Sequence, residues 1–190
     1  MKKIITLLLL AVSLTAFAQD HMKFMGLPID GQLTTFCQAL EKKNLQLDKM
    51  YANSARYKGL FTGRLTYVIV ETTPKTHTVC DVLVAYQNNQ KWDDMDNLYF
   101  ALKEQLITKY GEPKDVLEVG DAPIFDSYIE DNLENASLIR RARFETEVGY
   151  IDLGIDNLRI FDYSSYPYTY LIYIDKANQA KGDQEAYDDL

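Results

Sequence analysis

The chain contains two cysteines, Cys37 and Cys80, and two histidines, His21 and His77, which are its candidates for nucleophilic or metal chemistry. A cysteine nucleophile needs a base beside it. His77 precedes Cys80 by three residues in a segment with strand-like alternation, so the two side chains are expected on opposite faces. Two histidines are too few for a histidine-built metal site, and both are expected to be solvated. The residues therefore predict no thiol catalysis, no bound metal and no cofactor.

The same cysteines leave two structural alternatives open. Cys37 lies on the apolar face of a predicted helix, and Cys80 lies on a predicted strand that would pack nearby. A disulfide between Cys37 and Cys80 would close a loop of about 43 residues and contribute about 3–4 kcal/mol in an oxidising compartment. The alternative is that both are free thiols that fill core positions as small apolar residues.

Acidic residues cluster in the sequence at the starts of predicted helices. A glycosidase needs two carboxylates about 5–10 Å apart in a cleft. Clusters at helix starts more often complement the helix dipole in solvent. The spacings typical of zinc, calcium, phosphate-binding and serine hydrolase motifs are missing from the sequence. A hydrolase acting on glycans through paired carboxylates stays an alternative. The clusters are Asp93, Asp94 and Asp96, then Glu130, Asp131 and Glu134.

Tyrosine is the residue type that most favours a binding role here. The chain has 14 tyrosines, and Tyr163, Tyr166, Tyr168 and Tyr170 crowd the last predicted hairpin. Tyrosine supplies a large, rigid contact area, and binding surfaces are enriched in it. One interpretation is that an uncovered sheet face presents these rings to a protein or a glycan. The other is that tyrosine simply suits strands and shields a sheet face.

The first 18 residues have the three parts of a secretory signal peptide. Met1-Lys2-Lys3 is basic, Ile4 to Val12 is a short apolar run, and Ala16-Phe17-Ala18 fits the small-residue cleavage rule. We therefore expect cleavage after residue 18, a periplasmic or secreted location, and no membrane insertion of the mature chain.

The negative net charge limits the classes of molecule that the chain is expected to bind. The formal charge is −8, and removal of residues 1–18, which carry Lys2 and Lys3 and no acid, makes it −10. Such a charge repels phosphate backbones, so nucleic acid is not an expected partner. We expect a monomer that binds an as yet undefined protein or glycan.

Hydrophobic periodicity predicts an α+β protein. Apolar residues recur at helical spacing in two segments, ending near Lys43 and at Gly111, and a third short helix is predicted over Asp131–Arg141. Period-two alternation predicts three strands between the first two helices and three more after Phe144, with turns near Val148-Gly149 and Asp156-Asn157. The helical stripes are Leu33, Phe36, Cys37 and Leu40, then Trp92, Met95, Tyr99, Leu102 and Leu106.

The element order predicts two similar helix-plus-antiparallel-sheet units. The first spans residues 19–88, the second spans residues 89–176, and residues 177–190 form a flexible acidic tail. A single continuous sheet is the alternative.

Three segments carry a resemblance to known proteins. Phe24-Met25-Gly26-Leu27-Pro28-Ile29-Asp30-Gly31, Lys58-Gly59-Leu60-Phe61 and Lys109-Tyr110-Gly111-Glu112-Pro113 together resemble a largely uncharacterised family of small exported proteins of Bacteroides-type gut bacteria. The overall plan is similar to the tandem α+β fold of beta-lactamase-inhibitor-like proteins. The resemblance implies a non-enzymatic envelope or secreted protein that binds another protein, and it implies no catalytic residue.

Overall fold

The computed structural model describes residues 20–87, 91–123, 125–161 and 164–188. Within them the chain is a mixed α+β protein with four α-helices and one large antiparallel sheet. The helices are α1 (Leu33–Glu41), α2 (Trp92–Tyr110), α3 (Ile129–Glu134, after a 3₁₀ turn at Asp126–Tyr128) and α4 (Lys176–Tyr187). The strands are β1 (Lys23–Phe24), β2 (Leu27–Pro28), β3 (Gln46–Met50), β4 (Ser54–Phe61), β5 (Arg64–Thr72), β6 (Val79–Tyr86), β7 (Asp115–Val119), β8 (Ile139–Glu145), β9 (Gly149–Phe161) and β10 (Ser164–Asp175).

Eight of the strands form one continuous sheet in the order β3-β4-β5-β6-β10-β9-β8-β7. Strands β3 to β6 are one chain-ordered meander, and β7 to β10 are another. The two meanders join where β6 pairs with β10, from Ala85 opposite Tyr170 to Asp81 opposite Ile174. The sheet is therefore continuous across the two meanders, with four strands on each side of the junction instead of the three expected. Strands β1 and β2 form a separate small hairpin.

Two helices cover one face of this sheet. Helix α1 packs on β4 and β5, and α2 packs on β8, β9 and β10. The apolar stripes predicted for α1 and α2 are buried, as expected of amphipathic helices. Helix α2 ends at Gly111, whose φ of +87° favours glycine. The rings of Phe24, Phe61 and Tyr173 meet in the same core, with centroids 5.2 and 5.4 Å from that of Phe24.

Several predicted boundaries were wrong for local reasons. The helix expected over Asp131–Arg141 is α3, which ends at Glu134 because Ala136 adopts a positive φ of +58°, and the chain then enters β8. The turn expected at Asp156-Asn157 is absent, because both residues continue β9 in register with β10.

The C-terminal segment also differs from the expected acidic tail. Residues 176–187 form helix α4, whose N-cap Asp175 accepts a hydrogen bond of 3.0 Å from the backbone N–H of Asn178. Buried Asn178 donates to the carbonyl oxygens of Ile29 and Val79 at 2.9 and 3.1 Å. This helix is held by polar contacts and not by an apolar stripe. Hydrophobic periodicity therefore gave no signal for it.

Candidate functional site

Helices α1 and α2 leave the opposite face of the sheet uncovered, and we call this face the outer face. Cross-strand register places one row of side chains across all eight strands on this face. From edge to edge the row is Gln46, Lys58, Tyr67, Ala85, Tyr170, Gly154, Arg141 and Leu117.

The end of the β9–β10 hairpin covers the first half of the outer face. Ile160 and Tyr168 form a second apolar cluster with Ala85, against which Ile69 and Leu83 pack. The guanidinium of Arg56 in β4 donates to the carbonyl oxygen of Ile160 in β9, although three strands lie between β4 and β9 in the sheet. The hairpin must therefore leave the sheet and lie across β5 and β6.

The second half of the outer face stays open as a groove of about 500 Å³ over β7, β8, β9 and β10. Its polar side chains come from all four strands of the second meander. The groove is lined by Asp115, Val116, Leu117, Arg141, Ala142, Arg143, Asp152, Leu153 and Tyr170.

Three of the four charged residues that line the groove form ion pairs, two of them with each other. Arg143 binds Asp152 through two hydrogen bonds, of 2.6 Å from Nε and 2.7 Å from Nη2. These bonds raise the pKa of Arg143. Its guanidinium also lies 4.3 Å from the centre of the Tyr150 ring. Arg141 binds Asp156 at 2.8 Å. The two arginines are thereby held in place by neighbouring carboxylates.

Tyr170 lies across Gly154 at the centre of the row. A Cβ atom at position 154 would lie 2.7 Å from the Tyr170 hydroxyl oxygen and 2.9 Å from the carbonyl oxygen of Arg140. Glycine is therefore needed for this close approach. Burial raises the pKa of Tyr170 to about 12, so its hydroxyl is neutral at physiological pH and can donate a hydrogen bond.

The tyrosines singled out from the sequence do not form one exposed surface. Tyr166 is 37% exposed, whereas Tyr168 and Tyr170 are each only 7% exposed. Tyr163 lies outside the described residues. At Tyr168 and Tyr170 the observed alternative is the one in which tyrosine shields a sheet face, because Tyr168 packs with Ala85 and the Tyr170 ring lies against Gly154.

Both cysteines are free and buried, so the alternative without a Cys37–Cys80 disulfide is the one observed. Cys37 belongs to the core under α1, where burial raises its pKa. Cys80 lies outside that cluster, with Sγ 3.6 Å from the carbonyl oxygen of Glu71 and 3.7 Å from Oδ2 of Asp81. Burial, together with the nearby Asp81 carboxylate, raises the pKa of Cys80 to about 12. Neither thiol is poised as a thiolate nucleophile.

Two carboxylates that the sequence analysis did not single out are paired across β5 and β6. Asp81 lies directly opposite Glu71. Burial, and secondarily the negative charge of Glu71, raises the pKa of Asp81 to about 7. Glu71 also lines a small cavity of about 210 Å³ beside Arg56 and Arg159. Their separation of ten residues in sequence across a turn hides this pair from any motif search.

His21 is not solvated as expected. Its Nδ1 lies 3.0 Å from Oδ2 of Asp175, a side chain that is almost fully buried and that also accepts from the backbone N–H of Met22 at 2.8 Å. His77 lies in the β5–β6 turn with a positive φ of +53°. The described part of the chain contains no group of three histidine, cysteine or carboxylate residues arranged to hold a metal.

No family model, curated protein or solved structure matches this chain. Among the residues that the structure describes, no helix is both long and apolar enough to cross a membrane.

Proposed function

We propose that this protein is an exported, non-enzymatic binding protein that holds a partner protein in the open groove of its outer face. The observation that carries the proposal is the contrast between the two halves of that face. The hairpin covers one half with its own apolar residues, and the other half remains an open concave surface beside the exposed edge strand β7. Open concave surfaces with a few placed polar groups favour binding.

The chemistry of the groove supports binding over catalysis. Both hydrogen bonds from Arg143 end on the Asp152 carboxylate, so its oxygens are already engaged and poorly placed to exchange a proton with a substrate. The Tyr170 hydroxyl is neutral and fixed against Gly154. These groups offer a preorganised surface with directional hydrogen bonds, which favours recognition of another molecule.

The element order supports the interpretation of two similar units. Helix α1 precedes and covers the meander β3–β6, and α2 precedes and covers the meander β7–β10. This order is what the similarity to beta-lactamase-inhibitor-like proteins implies. A periplasmic or secreted location rests on the sequence of residues 1–18, which lie outside the described residues.

The test compares two arginine variants of the mature chain. Arg141→Ala removes an exposed groove arginine, and Arg64→Ala removes an exposed arginine of β5 that does not line the groove. Each immobilised protein is incubated with envelope and medium extracts of the producing cells, and captured proteins are quantified by mass spectrometry. We expect a captured partner that Arg64→Ala retains and Arg141→Ala loses. Equal capture by both variants, or capture of nothing by the wild type, would contradict the proposal.

The Asp81–Glu71 pair favours a second candidate, a carboxylate-based hydrolase acting on glycans. A carboxyl group with a raised pKa directly opposite a second carboxyl group is an arrangement that suits general acid catalysis of glycoside cleavage. Release of reducing sugar from bacterial or host glycans, abolished by Asp81→Asn and kept by Arg141→Ala, would support the hydrolase and refute the binding proposal. A glycan array separates a glycan-binding module from both.

A further inference from the structure

The eight-stranded sheet has two edges, β3 and β7, and every residue of both strands is exposed. An edge strand presents backbone N–H and C=O groups that can pair with another strand. Proteins usually block such edges with bulges, charged side chains or short strands. The two edges of this sheet differ in this respect.

Strand β3 carries features that block pairing. Its register with β4 shifts between Leu47 and Lys49, which marks a bulge. At the bulge, Asp48 forms ion pairs with Arg56 and Lys58 of β4. The middle of this edge is therefore irregular and charged, and both properties oppose the addition of a further strand.

Strand β7 lacks these features along its described length. It pairs with β8 through five successive residues without a shift, from Asp115 opposite Arg143 to Val119 opposite Ile139. Its one central charged residue, Glu118, is turned to the helix-covered face, where it accepts from Tyr99 at 2.9 Å and from Lys103 at 2.6 Å. Val116, Leu117 and Val119 are exposed. This edge is regular, and its exposed side chains apart from Asp115 and Glu118 are apolar.

The charges of the groove indicate what kind of segment would pair with β7. Asp156 and Asp152 neutralise Arg141 and Arg143. Among the residues that line the groove, Asp115 is the charged residue outside these two ion pairs. The whole chain carries −8. A second copy of this chain would bring the same negative net charge, which opposes association. A basic partner would be attracted.

We propose that β7 accepts an added strand from a partner protein, an extended and mostly apolar segment with basic residues opposite Asp115 and Glu118. This inference rests on the proposed function and specifies how the partner binds. Cross-strand neighbours share a face, so a basic residue opposite Asp115 and apolar residues opposite Leu117 and Val119 would lie over the groove. A five-residue strand is about 17 Å long, which is a typical length for such pairing. Backbone hydrogen bonds supply affinity and the side chains supply specificity.

The probes are two fluorescent peptides. One has the core Val-Lys-Val-Val-Lys, whose residues lie opposite positions 119 to 115 when it pairs antiparallel to β7. The other has the core Lys-Val-Val-Lys-Val, whose residues lie opposite positions 115 to 119 when it pairs parallel to β7. Two matched peptides replace lysine by glutamate, and two carry N-methyl groups on alternate backbone amides. Binding to the mature protein is measured by anisotropy. We expect one basic peptide to bind, and its acidic and N-methylated forms to bind at least about ten-fold more weakly.

Two matched variants locate the binding. Leu117→Lys charges β7, and Leu47→Lys makes the same change on β3, at positions that are 48% and 45% exposed. We expect Leu117→Lys to weaken peptide binding at least about ten-fold, Leu47→Lys to leave it unchanged, and bound peptide to slow amide exchange within 115–119.

Each contrary outcome overturns the proposal in an identifiable way. Equal binding of the N-methylated peptide excludes strand addition, and equal loss in Leu47→Lys excludes β7 as its location. Protection of 115–119 that rises with protein concentration in the absence of peptide assigns the edge to a second copy. If no peptide binds while Arg141→Ala still loses the captured partner, strand addition fails and the groove proposal stands. If both fail, the binding function itself is refuted.

Discussion

The guanidinium of Arg56 hydrogen-bonds the backbone carbonyl of Ile160, and this contact joins the first meander to the end of the last hairpin. The hairpin end that this contact holds divides the outer face into a covered half and an open half. Because the hairpin is anchored by one buried arginine and a small apolar cluster, its attachment can be tested by single substitutions.

Substitution of Arg56 should release the hairpin end. We expect Arg56→Ala to lower the free energy of unfolding by about 1–3 kcal/mol, because a carbonyl loses a charged donor and Asp48 loses an ion pair. Amide exchange within 156–168 should accelerate more than elsewhere. Lys58→Ala is the control, since it also removes a partner of Asp48 but does not reach the hairpin. Equal acceleration in both variants would show that Arg56 does not anchor the hairpin.

Asp81 should make the protein less stable as pH rises through neutrality. Its pKa is raised from 3.8 to about 7 in the folded chain, so the folded state retains a proton that the unfolded state releases between these pH values. The free energy of unfolding should therefore fall between about pH 4 and 7. Asp81→Asn should be more stable than the wild type by about 1–4 kcal/mol at pH 8 and unchanged at pH 3.

Denaturant titrations at both pH values measure this difference. Asp121→Asn, a substitution at an exposed loop position, is the matched control. A wild-type profile that rises steadily from pH 4 to 8, with no gain in Asp81→Asn, would contradict the buried position of this carboxyl group.

Glu185 should have the opposite effect at low pH. Its carboxylate accepts from the Thr76 hydroxyl and from the backbone N–H groups of Thr76 and Lys75, at 3.1 and 2.8 Å for the backbone pair. These bonds lower the pKa of Glu185 from 4.5 to about 2. Its contribution to stability is present above about pH 4.5 and is lost as pH falls through 2.

Thermal unfolding between pH 2 and 6 tests this prediction. Glu185→Gln should have a lower melting temperature than the wild type at pH 6, and the difference should shrink toward pH 2. Glu104→Gln, on the exposed surface of α2, should show no such convergence. A constant difference for Glu185→Gln across the range would mean that the charge of the carboxylate is not what holds α4 to the turn.

Two glycines should respond to alanine in opposite directions. At Gly154 a Cβ atom would lie 2.7 Å from the Tyr170 hydroxyl and 2.9 Å from a backbone oxygen, so Gly154→Ala should destabilise by about 1–3 kcal/mol. At Gly182, inside α4, the nearest atom would be 3.4 Å away. Gly182→Ala should therefore stabilise by about 0.5–1 kcal/mol through helix propensity. Chemical denaturation measures both, and a destabilised Gly182→Ala would argue against the docked position of α4.

The sequence predicted the elements whose burial is one-sided. Helices α1 and α2 carry apolar stripes, and β5 and β6 alternate, because one face of each element meets the core. Edge strands β3 and β7 are exposed on both faces, so they have no such alternation to detect. The candidate site was hidden for another reason. Leu117, Arg141, Asp152 and Tyr170 meet through the register of four neighbouring strands. The periodicity within one strand does not specify its register with the next strand.

Residues in the three segments on which the expected resemblance rests have structural roles. Phe24 and Ile29 are fully buried, and Asn178 of α4 binds the backbone at Ile29. A Cβ at Gly59 would lie 2.5 Å from the Leu45 side chain, and Gly111 has a positive φ. These residues are constrained by close packing and backbone conformation, which explains why they stand out in the sequence without lining the groove.

The carboxylate of Asp175 binds the backbone of Met22, which lies 153 positions earlier in the chain. A polypeptide that leaves the ribosome or a translocation channel from its amino end cannot make this bond until nearly all of it has emerged. The amino-terminal segment can therefore be tied to the start of α4 only after synthesis has passed the end of β10.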